Sequence, residues 1–389
     1  MNVSDARILH ISKYYYPFLG GTEQVARDVV RAFTGTGAKQ KVICFNENAG
    51  DGVMNCKRRE TVTDLVDGVE VVRCGTVLKF SSQSISPTYR RELNRVFETF
   101  RPDIVILHYP NPFATKLLLE KKDKEFKLLV YWHLDITRQK VLKYFVYNQN
   151  LALIQRADRI LGATPKHVDE SFFTPCFGDK RSILPYMIDT DNLVLSRGEV
   201  EYGRNIREKY AGDILCFFIG RHVPYKGLTY LIKAAKELTD TNIRFLIAGK
   251  GELTESLKRE AKGMERVEFL GRVSDAKKRA WLYASDIICM PSITRNEGFG
   301  LALAEGMFFE HPAVTFTIPG SGVNYLNLNG VTGIECPNKD YMAYASAVRK
   351  LAYDDDLRKQ MGKAAKERVN KMCLPENFRR AWFDLVEEL

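Results

Sequence analysis

The sequence predicts an α/β protein made of two doubly wound parallel-sheet domains. Its 389 residues exceed what one hydrophobic core usually supports. Short unbroken apolar runs, the mark of strands buried on both faces, alternate with helical stretches. That alternation pauses near Pro185 and restarts near Ile214, so a second domain follows the first.

Taken in chain order, residues 7–12, 41–45, 69–72, 103–108, 128–132 and 159–163 read as strands of a first domain spanning 1–186. Between the third and fourth strands, residues 87–100 place Leu93, Val96, Phe97 and Phe100 at helical spacing beside Arg90, Arg91 and Arg95. Such a stripe suits either a core or an anionic membrane surface. The second domain, 187–374, supplies strands at 214–219, 244–248, 267–270, 286–290 and 313–316. Residues 375–389 form a closing helix with Phe378, Trp382, Phe383, Leu385 and Val386 as its apolar stripe. Gly20-Gly21, Gly220-Arg221, Gly249-Lys250-Gly251 and a glycine turn at 297–300 all fall at strand ends, so ligand chemistry concentrates where the two domains are expected to face each other across a cleft.

A hydrophobic content of 45% with 27% charged residues excludes a disordered chain. No apolar run reaches the ~20 residues of a spanning helix and no signal-peptide pattern precedes the first strand, so a cytoplasmic protein is expected. Eight cysteines (Cys44, Cys56, Cys74, Cys176, Cys216, Cys289, Cys336 and Cys373) lack any C-x-x-C pair, which favours reduced core thiols over disulfides or zinc. The net charge of +10 is uneven: Lys and Arg exceed Asp and Glu by 8 in residues 1–185 and by 2 in 186–389. The excess gathers at Lys57-Arg58-Arg59, at Arg90, Arg91 and Arg95, at Lys121, Lys122 and Lys124, and at Arg138, Lys140 and Lys143. Patches of this kind suit an acidic surface such as an anionic membrane. No nucleic-acid module signature is visible, and none of the expected partners is a nucleic acid.

The most informative stretch is 295–305. An apolar strand at 286–290 leads into Glu297-Gly298-Phe299-Gly300, and a helix carrying Glu305 follows. Gly298 and Gly300 let backbone amides approach a ligand, and the helix start leaves N–H groups for a phosphate. The two carboxylates fit sugar hydroxyls flanking that phosphate, because ionised carboxylates accept their hydrogen bonds. The alternative is a capped helix with a solvated acidic face. Asp189-Thr190-Asp191 is a D-x-D string, but its place between the domains reads as structural rather than as a metal site.

With these residues assembled, the chain resembles the retaining glycosyltransferases of family 4, of the kind acting in bacterial surface polysaccharide (O-antigen or capsule) biosynthesis. The resemblance rests on residues 15–23, on Trp132-His133-Leu134-Asp135, on the run from Gly220 and Arg221 to Lys226 and Gly227, and on Glu297 to Glu305, in that order. It implies the GT-B architecture, two Rossmann-like doubly wound domains facing a central cleft, with the closing helix crossing back to the first domain. Simple capping of the second domain is the alternative for that helix.

The resemblance also implies residue roles. Glu305 resembles the glutamate on the ribose hydroxyls and Glu297 the one beside the donor sugar. Arg221 and Lys226 match the basic pair on the diphosphate, where their charges would offset the charge developing on the leaving nucleotide. Gly20 and Gly21, otherwise an ordinary turn, resemble the loop lying against the diphosphate or donor sugar. His133, otherwise a satisfied core histidine, resembles the residue contacting the donor sugar, with Asp135 orienting it or binding the acceptor. Val273 sits where the base is contacted, and the backbone of Gly298, Phe299 and Gly300 completes the donor site. A segment 319–322 is expected as a mobile loop near the donor.

The implied reaction moves a hexose from a nucleotide sugar to a hydroxyl of a glycan with retention, without metal or cofactor. A same-face displacement is favoured, and a covalent route through Glu297 stays open. GDP-mannose is the first donor expectation; UDP-linked hexoses or N-acetylhexosamines follow it closely, because the named residues touch parts common to these donors. The acceptor implied is lipid-linked, placing the enzyme at the inner face of the cytoplasmic membrane. Two other readings remain: a non-hydrolysing sugar-nucleotide epimerase of similar architecture, and a catalytically silent sugar-nucleotide-binding or membrane-docking protein.

Overall fold

The structure is a computed structural model that describes all residues except Leu19, 48–56, 81–82, 136–139 and Asp240; for 140–145 it describes the backbone alone. Cys56, Arg138 and the side chains of Lys140 and Lys143 therefore lie outside the described residues. The chain divides into two compact units, one of Met1–Met187 with Glu376–Leu389 and one of Ile188–Pro375.

The N-terminal unit runs β1 (Arg7–Ile11), α1 (Gly21–Ala32), β2 (Lys39–Asn46), β3 (Val62–Val66), β4 (Val69–Gly75), β5 (Leu78–Phe80), β6 (Gln83–Ile85), α2 (Tyr89–Thr99), β7 (Ile104–Tyr109), α3 (Pro112–Leu119), β8 (Lys127–Trp132), α4 (Lys140–Arg156), β9 (Arg159–Gly162), α5 (Pro165–Asp169), α6 (Thr174–Phe177) and β10 (Arg181–Ile183). Eight strands form one sheet in the order β10-β9-β8-β7-β1-β2-β4-β3, parallel except for the β3–β4 pair. β5 and β6 form a separate antiparallel ribbon. Alternation along the strands sends Leu9, Ile11, Val105, Leu107, Val130 and Trp132 into one core cluster, shared with α2, α3 and α4.

The C-terminal unit contains α7 (Arg197–Lys209), β11 (Ile214–Ile219), α8 (Leu228–Lys236), β12 (Ile243–Ala248), α9 (Thr254–Glu260), β13 (Val267–Gly271), α10 (Asp275–Ala284), β14 (Ile287–Met290), α11 (Leu301–Phe308), β15 (Ala313–Phe316), α12 (Val323–Leu326), β16 (Gly333–Cys336), α13 (Tyr341–Tyr353) and α14 (Asp355–Cys373). Its six strands are all parallel, in the order β13-β12-β11-β14-β15-β16. Local signals define the helix starts: Ser196 and Glu199 close a reciprocal capping box on α7, and Ser274 accepts from the Lys277 amide to cap α10.

Helix α15 (Pro375–Glu387) belongs almost entirely to the N-terminal unit. Its Trp382 is fully buried, with ring centroids 5.8 Å from both Phe33 and Tyr131. The Arg379 guanidinium donates to the Thr34 carbonyl beside this contact.

The arginine-flanked stripe of α2 faces the core, which corrects the reading that it lies on a membrane. Leu93, Val96 and Phe97 are buried among strand residues and Phe100 packs against them, so no apolar face is left for lipid. The arginines are paired, Arg90 with Glu120 and both Arg91 (2.9 Å) and Arg95 (2.7 Å) with Glu92. The seven described cysteines are free, six of them buried and Cys176 exposed. Burial pushes the Cys44, Cys336 and Cys373 thiols up to about 12, as expected of inert core residues. Among the described residues no helix is long and apolar enough to cross a membrane.

If α15 closes the N-terminal core, Trp382→Ala removes a large buried side chain and should cost about 3–5 kcal/mol in urea unfolding. A loss below about 1 kcal/mol would show that the helix is not part of that core.

Candidate active site

The strand order of the C-terminal sheet reverses at β11, whose neighbour on one side is β12 and on the other β14. In open α/β sheets ligands bind outside the carboxyl ends of the strands at such a switch point. The two loops that leave β11 and β14 there carry Arg221 and Lys226 on one and Glu297 to Gly300 on the other.

These loops are locked together. Gly227, at φ +66°, would place an added Cβ 2.0 Å from the Pro291 carbonyl, so only glycine permits this approach. The Ile293 amide donates to the Tyr225 carbonyl at 2.9 Å. Across this seam Lys226 Nζ stands 2.5 Å from Glu297 Oε2, and both side chains are about nine-tenths buried. Ser292 Oγ donates to the same carboxylate oxygen at 2.9 Å. The diphosphate candidate and the sugar candidate are therefore partners of each other in this structure. An arriving phosphate must share Lys226 with Glu297, and a hydroxyl can still use the remaining lone pairs of the carboxylate.

Gly300, at φ +88°, forms the N-cap of α11, a conformation that strongly favours glycine. It leaves the first-turn amides of this helix without side-chain caps, an arrangement that favours an anion. Phe299 is buried between the two glycines. One turn further along α11, Glu305 pairs with Lys278 of α10 at 2.7 Å, each side chain about one-fifth exposed. Arg221 is exposed and no ion pair holds it among the described residues, so its charge is available to an incoming anion. Val273 lies half-buried between β13 and the capping Ser274.

The segment 319–322 is more tightly held than expected. Ser321 is fully buried, its hydroxyl donates to the Glu297 carbonyl at 2.5 Å, and the Gly322 amide donates to the Gly298 carbonyl at 2.5 Å. Two hydrogen bonds thus tie this loop to the glycine turn. Asp189 accepts from the Asn192 amide at 3.3 Å and from its side chain at 2.5 Å, so it shapes the short turn of the D-x-D string. Among the described residues no cluster of three His, Cys, Asp or Glu could hold a metal ion.

In the N-terminal unit Gly20 caps α1, and its missing side chain makes room for Glu23, whose carboxylate would lie 2.2 Å from an added Cβ. Gly21 opens the helix with free space around it. His133 is buried, its Nε2 3.1 Å from His108 Nδ1 and its Nδ1 in a short hydrogen bond with the Tyr186 hydroxyl. Asp135 accepts from Trp132 Nε1 (2.9 Å), Ser171 Oγ (2.8 Å) and the Phe172 amide (3.0 Å), fastening the end of β8 to the turn between α5 and α6. Desolvation lowers His133 to about 3 and His10 to about 4, and holds His108 well below the ordinary imidazole value. All three are neutral at physiological pH.

Lys278, Ser292, His108 and Tyr186 are the residues that sequence reasoning missed. Lys278 lies one turn into the helix after Val273, where a basic residue facing Glu305 was the available signal; the others depend on tertiary placement.

Comparisons with known proteins give the family and the fold. Residues 19–191 match Glycosyltransferase Family 4, and residues 201–368 match Glycosyl transferases group 1. The O-antigen chain mannosyltransferase C of Escherichia coli is 25% identical over 98% of this chain and 98% of its own length. D-rhamnosyltransferase WbpZ of Pseudomonas aeruginosa is 29% identical over 94% of this chain and 92% of its own. Among solved structures, the sucrose-phosphate synthase of Thermosynechococcus elongatus superposes with a TM-score of 0.80 at 16% identity, covering 98% of both chains. The HepE protein of Anabaena, solved with UDP and glucose, gives 0.78 at 15% identity over 99% of this chain and 100% of its own. The fold is thus GT-B, with two Rossmann-like units.

Two outcomes follow from this geometry. Lys226→Met strands a buried carboxylate and should destabilise the C-terminal unit by about 3–5 kcal/mol, while adding Glu297→Gln should restore most of the loss; additive losses in denaturant titrations would deny the coupling. Because the unfolded chain binds imidazole protons that the fold refuses, stability should fall as pH drops from about 6.5 towards 4. His133→Gln should make that fall shallower, and an unchanged slope in urea midpoints would show that His133 is not buried neutral.

Proposed function

The chain belongs to the family 4 glycosyltransferases, its N-terminal unit matching the family 4 model and its C-terminal unit the group 1 model, and from that premise we propose that it moves a hexose, with retention of configuration, from a nucleotide sugar to a hydroxyl of a lipid-linked glycan in O-antigen-type surface polysaccharide assembly. The observation that carries this reading is the switch point itself. There a free arginine, a buried Lys226–Glu297 pair, the uncapped N-terminus of α11 and the Glu305 carboxylate lie within two loops and the helix that follows one of them.

Each group contributes to the transfer. The nucleotide diphosphate lies against the amides at the start of α11, with Arg221 and Lys226 on its oxygens. Glu305, oriented by Lys278, accepts from the ribose hydroxyls, and Glu297 accepts from hydroxyls of the donor sugar. As the glycosidic bond breaks, negative charge grows on the leaving phosphate, and the two fixed cations stabilise it without a metal. The acceptor hydroxyl attacks on the same face and gives its proton to that phosphate. His133 serves the donor sugar by exchanging His108 or Tyr186 for a sugar hydroxyl.

GDP-mannose is the proposed donor, in line with the mannosyltransferase named among the full-length relatives. The lipid-linked acceptor brings the enzyme to the inner face of the cytoplasmic membrane, a location consistent with the basic N-terminal half.

The Arg221 side chain is exposed and makes no ion pair among the described residues, so Arg221→Ala tests the chemistry with little effect on the fold. It should lower transfer at least a hundredfold with an unchanged melting temperature; retained turnover would refute the diphosphate assignment. Glu305→Ala should weaken GDP binding in calorimetry at least tenfold, about 1.4 kcal/mol, and unaltered affinity would remove the ribose role. NMR of the transferred sugar should show the donor's anomeric configuration, and inversion would overturn the mechanism.

A further inference from the structure

With the stripe of α2 buried in the core, any membrane contact of the N-terminal unit must use another surface. The exposed apolar side chains of this unit include three close together in sequence: Val77 is 42%, Leu78 56% and Phe80 65% exposed. Leu78 and Phe80 belong to the ribbon β5–β6, which leaves the carboxyl end of β4. In the ribbon, Leu78 pairs with Ile85, Lys79 with Ser84 and Phe80 with Gln83. Ser84 is fully buried, bonded at 3.0 Å to both the Tyr14 hydroxyl and Glu47 Oε1. That contact fixes the inner face of the ribbon, so alternation turns Leu78 and Phe80 outward, to water.

Cations stand on both sides of the ribbon, Lys13 and Lys79 on the face of Ser84 and Tyr14. Lys79 Nζ lies 5.2 Å and Lys13 Nζ 5.4 Å from the centroid of the Tyr14 ring. The turn at Lys57-Arg58-Arg59 lies against the root of the ribbon: the Thr76 amide donates to the Arg58 carbonyl at 2.8 Å, and an added Cβ on Gly75 would meet the Arg59 carbonyl at 2.1 Å. Glu47 is engaged by Arg58 at 2.9 Å, and Glu60 is the one acidic residue beside the turn in sequence. No ion pair holds Lys13, Lys57, Arg59 or Lys79 among the described residues. Exposed Leu and Phe flanked by unpaired cations match an anionic bilayer in both charge and polarity.

We infer that the β5–β6 ribbon is the membrane-docking element of this protein, with Leu78 and Phe80 entering the interface of an anionic bilayer and the exposed Lys57 and Arg59 meeting its headgroups. The inference rests on the membrane-bound acceptor proposed above and adds the surface that reaches it.

The test uses the full chain with vesicles of phosphatidylcholine, with and without phosphatidylglycerol. Wild type should sediment with the anionic vesicles, and added salt should release it. The double variants L78S/F80S and K57E/R59E should each bind at least fivefold more weakly, with unchanged melting and unchanged GDP affinity. Arg90→Glu on α2 should stay within twofold of wild type. The three native tryptophans, Trp132, Trp281 and Trp382, are buried, so F80W adds one exposed reporter. Brominated phospholipid in the anionic vesicles should quench the added emission. Vesicle binding that survives L78S/F80S, or F80W emission that escapes quenching, would overturn the ribbon while leaving the membrane reading intact. Absence of wild-type binding would defeat both. Concentration-dependent self-association abolished by L78S/F80S, with vesicle binding unchanged, would assign this face to a second copy of the chain instead.

Discussion

A lysine ammonium and a glutamate carboxylate, 2.5 Å apart and nearly sealed from water, join the two loops that flank the reversal of strand order in the C-terminal sheet. Two opposite charges in that setting are tolerable only while each has the other, because removing either leaves a desolvated ion. The pair therefore imposes a geometry on its neighbours. Gly227 must be glycine to let the loops approach, Ser292 must supply the remaining donor, and Ser321 must hold the Glu297 backbone from the other side. The outcome is a preorganised charge arrangement beside an uncapped helix N-terminus, which is what a leaving diphosphate requires.

The N-terminal unit follows a different rule. One sheet face carries His10, His108 and His133, all neutral because burial disfavours the imidazolium. His133 is held by its neighbours rather than offered to solvent, so the part in catalysis proposed for it requires exchanging a protein hydrogen bond for a substrate one. The two units thus carry unlike groups, a buried charge pair in one and neutral imidazole rings in the other.

Much of this was legible in the chain. Buried parallel strands announce themselves as apolar runs, and the strands expected at 7–12, 103–108, 128–132 and 214–219 are matched within a residue or so by β1, β7, β8 and β11. The short strands β3, β5, β6, β10 and β16 escaped notice because three to five residues, several of them exposed, carry no clear period. The α2 stripe was ambiguous for a physical reason: arginines flanking an apolar helix face look alike whether the face meets a core or a lipid. Resemblance picked out Glu297, Glu305, Arg221 and Lys226, but could not show that Lys226 and Glu297 bond to each other or that Lys278 holds Glu305. Those facts depend on which loops the strand order brings together, and periodicity does not encode it.

The proposed transfer stands on nucleotide sugar binding at the switch point of the C-terminal sheet. Hydrogen exchange measured by mass spectrometry, with and without saturating GDP-mannose, reads that binding segment by segment. Slowed exchange is expected mainly in residues 220–228 and 296–306, where the amides at the start of α11 would face the diphosphate. Protection elsewhere, with these two segments unchanged, would refute it.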